Sequence, residues 1–215
     1  MRRIYKDEIL STYYKDWVDN FDEKHKVYDS RNVHYFDLRM SLFYCQKGLC
    51  AYTEERLCKP SLIEKDKWKD GKYIKSKQEV STRGHIEHFD ESLKSEKGWL
   101  WDNLFMVDGD INNKKGTKPV NYILKPDSPD YDENKYLQFD YEIDTFFPNI
   151  NLSKEKYDEV KKMIEVLGIN DVQRREDMVQ ELKDNLDMGI VPREPSEYIT
   201  AWRMTLSLCM KNNND

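Results

Sequence analysis

The chain reads as an α+β protein: a small strand–strand–helix (ββα) core embedded in a mainly helical domain. Three observations predict this. Apolar residues recur every three or four positions near both ends, the mark of amphipathic helices. Between 85 and 115 two short apolar runs, separated by turns, lead into a polar helical stretch. And aromatic residues make up 13% of the 215, far too many for a disordered chain.

Element by element, Ile9, Tyr13, Trp17 and Phe21 share one face of a helix over 6–20. A second helix spans 36–47, and Gly48 is placed to stop it. Residues 49–57 are short, apolar and turn-like. The Lys-rich stretch 59–82 carries Asp70-Gly71 and a candidate strand at 72–75, and reads as a hairpin or a long loop. A short strand leaves Gly84 across 83–90. An aromatic run at 99–107 is broken by Asp102 and Asn103, and 108–116 turns into one or two helical turns. Four of the seven prolines fall in 119–150, which reads as extended structure wrapping the core, with a strand at 137–141. Ser153 caps a helix that Gly168 closes. Helices near 171–187 and 196–211 follow, the last with Ser196 as its cap and with Ile199, Trp202, Leu206 and Cys209 on its core face. The expected organisation is N-terminal helices over 1–48, the core with insertions over 49–150, and a helical part of the same compact unit over 151–215.

Composition narrows the function. No apolar run reaches the roughly 18 residues of a membrane span, and the N-terminal ten residues lack the apolar stretch of a secretory signal. Four cysteines, at 45, 50, 58 and 209, form no Cys-x-x-Cys pair, so reduced thiols in a cytoplasmic protein are expected. The net charge of −6 excludes a uniformly basic nucleic-acid coat. Charge is uneven, however. Residues 59–83 hold eight Lys/Arg against four acids, and 131–197 hold seventeen acids against nine bases. Two solvated surfaces would explain this; so would a phosphate-facing basic side with an acidic helical surface behind it.

The residues that carry chemistry are His85, Glu87, His88, Asn103, Asn112 and Lys115. Glu87-His88 places a metal-ligating carboxylate beside a titratable base at a strand end. Asn103 sits in an aromatic segment, where its donor and acceptor both need partners. His85 reads as a core histidine bonded to backbone, with a supporting or ligating role as the alternatives. His25 and His34 read as surface residues.

The order strand with Glu-His, loop, strand with Asn-Leu, helix with Asn-x-x-Lys resembles an HNH (ββα-metal) endonuclease. The segments that carry the resemblance are GLCAYT (48–53), HIEHF (85–89), WDNLF (101–105), INNKKG (111–116) and VLGIN (166–170), and it covers roughly 48–190. They resemble the HNH nuclease subunit of Septu-type and retron-associated anti-phage systems. The resemblance implies that His88 is the general base and that Asn103 accepts from His88 Nδ1, leaving Nε2 toward the water. It implies one Mg²⁺ or Mn²⁺ on Glu87 and Asn112, and Lys115 near the phosphate, with Lys114 and Lys118 tracking the backbone. It implies nucleic acid as substrate, DNA before RNA. The implied partner is an ABC-type ATPase, joined in retron systems by a reverse transcriptase and its RNA/DNA product; no membrane is involved. Many such proteins bind a structural zinc through two Cys-x-x-Cys pairs. Here those positions are Cys50, Thr53, Asp108 and Ile111, so no structural zinc is expected. The finger would instead be held by packing of Tyr52, Trp99, Trp101 and Phe105. Two alternatives stand: an inactive HNH-like binding subunit, and a zinc hydrolase using His85, Glu87 and His88.

Overall fold

Ser11 opens helix α1 (Thr12–Asp19) by accepting from the Tyr14 amide. In the computed structural model, which describes residues 1–21, 27–190 and 192–212, this helix is shorter than the periodicity predicts. Tyr14 is its buried residue, and Tyr13 is largely exposed. His25 lies outside the described residues. The protein is a mixed α+β fold of small two-stranded antiparallel sheets among helices. The chain divides into two units.

The first unit comprises Ile4–Ala51 and Arg56–Val120. Helix α2 (Tyr35–Cys45) supplies buried Leu38, Met40, Leu42 and Phe43, and the Gly48 amide closes its end on the Phe43 carbonyl. The Lys-rich stretch forms the hairpin β1 (Trp68–Lys69) and β2 (Lys72–Tyr73). Its turn residues Asp70 and Gly71 both have positive φ, 51° and 74°, as a two-residue hairpin turn of type I′ requires. A second hairpin pairs β3 (His85–His88) with β4 (Leu104–Val107), His85 opposite Val107 and His88 opposite Leu104. Gly84 precedes it at φ +85°, and a Cβ there would lie 2.5 Å from the Val107 carbonyl oxygen. The connection carries helix α3 (Lys94–Lys97). Asp108 then caps helix α4 (Gly109–Lys115) by accepting from the Asp110 amide. All four β4 residues are buried. Helix α2 packs against β4, and α4 against β3. The free edge of β4 is completed by Gln46, whose carboxamide takes the Met106 amide and donates to the Met106 carbonyl, both at 2.8 Å.

The second unit comprises Met1–Arg3, Tyr52–Glu55 and Asn121–Asp215. A single turn, α5 (Glu133–Tyr136), leads into β5 (Leu137–Asp140), which pairs with β6 (Thr145–Pro148). The stretch expected to run extended thus contains a hairpin. Helix α6 (Lys154–Val166) is capped by Ser153 and buries Val160, Met163, Ile164 and Val166. Helix α7 (Arg175–Asp187) buries Arg175, Val179 and Leu182. The last helix, α8 (Ile199–Asn212), starts after Tyr198 at φ 51° rather than at Ser196. Cys209 on it is half-buried, not core. Among the described residues no helix is long and apolar enough to cross a membrane.

Candidate active site

Along β3, His85 and Glu87 share one face of the hairpin with Ile86 on the other, and His88 ends the strand opposite Leu104. His85, Glu87 and His88, the trio a zinc hydrolase would use, do not form a metal-holding group. Among the described residues, no three His, Cys, Asp or Glu side chains are grouped to hold a metal.

His88 is buried at 2% exposure. Its Nε2 lies 2.8 Å from the Gly98 carbonyl, and its Nδ1 lies 3.9 Å from Glu91 Oε2. A carbonyl only accepts, so a neutral ring carries its proton on Nε2 and its lone pair on Nδ1. Tyr28 stands edge-on to the ring at 4.6 Å. Burial is the main cause holding the imidazole below its ordinary value of 6.5. The Gly98 bond and Glu91 oppose the shift, while Lys94 and Lys115 add to it.

Asn103 is buried as expected, but its partner is different. Its Oδ1 accepts from the Asp90 amide at 2.8 Å and its Nδ2 donates to the Asp90 carbonyl at 2.9 Å. The carboxamide thus acts as a strand extension that braces the chain just after His88, and its oxygen is not engaged by the imidazole. The Asp90 side chain in turn accepts from the Ser92 amide and hydroxyl.

Lys115 also departs from the expectation. It is fully buried, its Nζ 2.5 Å from Glu87 Oε1 and 2.9 Å from the His88 carbonyl oxygen. A lysine in such a place cannot stay charged without a carboxylate, and Glu87, 3% exposed, supplies it. This contact fixes α4 along the Glu87 face of β3. At the other end of α4, a Cβ built on Gly109 would lie 3.3 Å from His85 Nε2. Asn112 lies midway between these ends, one helical turn from each, and is half-buried. His85 is exposed rather than a core residue. Neither its ring nor the Asn112 carboxamide has a hydrogen-bond partner among the described residues.

The remaining predicted positions are accounted for structurally. Cys50 is buried, Asp108 caps α4 and Ile111 is core. Trp99, Trp101 and Phe105 are buried within the first unit; Tyr52 is buried too, but in the stretch that belongs to the second. His34 is half-buried and stacks on Trp17 at 4.6 Å. Sequence reasoning missed Glu91, Gly98, Tyr28 and Gln46. Only Glu91 carried a signal, a carboxylate three residues after His88. No family model matches the chain, and no curated protein matches it.

Proposed function

We propose that the chain is a metal-dependent endonuclease of the HNH type that hydrolyses phosphodiester bonds of nucleic acid, DNA first. In this role it would be the effector of an anti-phage system working beside an ABC-type ATPase. The observation that carries this reading is the Lys115–Glu87 contact, which lays α4, with Asn112 one turn before Lys115, along the strand that ends in Glu87 and His88. A ββα-metal core needs that arrangement.

The donor set fits a hard divalent cation, Mg²⁺ or Mn²⁺: a carboxylate on β3 and, on α4, a carboxamide oxygen with no competing partner. When bound, the cation supplies positive charge to the phosphate and to the departing 3′ oxygen. Glu87 and Asn112 would hold it. Lys115 then acts as a positioning residue, holding the Glu87 carboxylate in place. His88 takes the proton of the attacking water on Nδ1, the atom left with a lone pair when Nε2–H is held by Gly98. The water oxygen bonds to phosphorus as the bond to the 3′ oxygen breaks, and the proton ends on the leaving group. Glu91, 3.9 Å from Nδ1, stabilises the imidazolium formed on the way.

One observation favours a second reading, an inactive HNH-like binding subunit: His88 is enclosed and Glu87 is already neutralised. Plasmid nicking by the purified chain, with and without the ATPase, decides between them. An active enzyme nicks in Mg²⁺ or Mn²⁺, stops in EDTA, and loses activity in His88→Ala. A binding subunit gives no cleavage under any of these conditions.

A further inference from the structure

We infer that His85 is a third, nitrogen ligand to the divalent cation, and that it tunes the site toward Mn²⁺ and related transition metals over Mg²⁺. The inference rests on the metal-nuclease reading above and goes beyond it, since that reading uses only oxygen from Glu87 and Asn112.

Three observations converge on His85. Strand alternation puts it two residues from Glu87 on the same face of β3. Its ring lies against the first residue of α4, with Nε2 3.3 Å from where a Cβ of Gly109 would be, while Lys115 at the far end of that helix lies on Glu87. Asn112 stands between those two anchor points. His85 and Glu87 therefore lie beside the two ends of the short helix α4, with Asn112 on the turn between them. Further, His85 is exposed, and neither ring nitrogen is taken by a hydrogen bond among the described residues. Glycine at 109 leaves the ring its room there; a side chain would crowd it.

Chemistry gives the consequence. Imidazole suits zinc, copper, iron and nickel, and Mn²⁺, at the weak end of that series, still takes nitrogen more readily than Mg²⁺, which dehydrates reluctantly and favours oxygen. A site with one nitrogen and two oxygen donors therefore binds Mn²⁺ better than Mg²⁺, and loss of the nitrogen removes that preference. Outer-shell partners alone change metal affinity by about 10–100-fold, so removal of a direct ligand should cost at least about tenfold for Mn²⁺.

The experiment is Mn²⁺ binding to the full chain by calorimetry, with pulsed electron paramagnetic resonance to detect ¹⁴N coupled to the ion. It uses wild type, His85→Ala, His85→Asn, His88→Ala and Glu87→Gln, each checked for folding by circular dichroism. The expected result is ¹⁴N coupling in wild type and His88→Ala that both His85 variants lose. Their Mn²⁺ affinity should fall at least about tenfold with Mg²⁺ affinity little changed. Unaltered Mn²⁺ affinity and coupling in the His85 variants, with binding lost in Glu87→Gln, would overturn the role of His85 and leave the nuclease reading standing. Failure of wild type to bind Mn²⁺ would overturn both.

Discussion

At the scale of single residues, the site is governed by two buried titratable groups with opposite solutions to burial. Lys115 is ion-paired with Glu87; burial holds the His88 imidazole below its ordinary value. Removing one partner of a buried pair strands the other charge, at a cost of about 3–5 kcal/mol, whereas removing both can be nearly neutral. Lys115→Met should therefore lower the melting temperature by on the order of 10 °C, and the double variant with Glu87→Gln should recover most of it. Scanning calorimetry checks this. If Glu87 is a metal ligand, Mn²⁺ should also restore part of the loss in the single variant, because the cation replaces the missing positive charge. For His88, the folded value lies below the ordinary 6.5 because the ring is buried. The unfolded chain thus binds more protons, and stability falls as pH drops below about 6.5 until the folded ring itself titrates. In EDTA, wild type should lose more stability between pH 7 and pH 5 than His88→Gln, measured by urea denaturation at each pH. Equal slopes would mean that the ring is not held neutral.

At the scale of elements, three carboxamides do the work of missing strands. Gln46 pairs with the backbone of Met106, Asn103 with Asp90, and Asn170 with Phe146, each taking an N–H and returning one to a carbonyl. Two-stranded sheets have unpaired edges, and partly buried edges must be satisfied. None of these pairings was legible in the sequence, because each partner lies at a distance no local pattern fixes: Asn103 and Asp90 are thirteen residues apart. Helix α6 was legible almost to the residue, because its Ser153 cap and Gly168 stop are local signals. Strand β6 was not, since Thr145–Pro148 becomes a strand through β5 and Asn170. Glu87, His88, Asn103, Asn112 and Lys115 were singled out by motif order; the contacts they make were not legible. Arg175 is a further non-local element. Buried on α7, it donates to the Asp144 side chain at 2.8 Å and to the Asp144 and Ile169 carbonyls, and its guanidinium lies over Phe139 and Phe146. Arg175→Met should cost about 3 kcal/mol, toward the low end for a buried pair because Asp144 is partly exposed. Amides of β5 and β6 should then exchange with solvent earlier than those of β3 and β4. Equal acceleration in both hairpins would contradict this assignment.

At the scale of the whole molecule, charge is sorted by element. The acidic excess between 131 and 197 does not lie on α6, where Lys154, Lys156, Lys161 and Lys162 balance Glu155, Asp158, Glu159 and Glu165. Part of it lies on α7, where Glu176, Asp177, Glu181, Asp184 and Asp187 are exposed and Lys183 is the sole countercharge beside the buried Arg175, and as much again lies on Asp140, Glu142 and Asp144 in the β5–β6 hairpin. Lys183 is itself paired with Glu142 at 3.1 Å. Such a stripe repels a phosphate backbone within a Debye length of roughly 8–10 Å. It suits a basic protein surface instead, with its main influence on association rate and specificity. In the proposed two-component system, α7 is therefore the better candidate than α6 for engaging the ATPase. The two helices provide their own control. Reversing Asp177 and Asp184 to lysine should slow association with the ATPase by at least about tenfold at low salt, with the difference shrinking as ionic strength rises. Reversing Glu155 and Glu159 on α6 should change it far less. All four positions are exposed, so folding should be unaffected, and thermal melts verify that. Association rates measured by surface plasmon resonance at several salt concentrations decide the matter. Equal rates for the two pairs of reversals would remove α7 from the interface, and a salt-independent loss would point to disrupted packing rather than electrostatic steering.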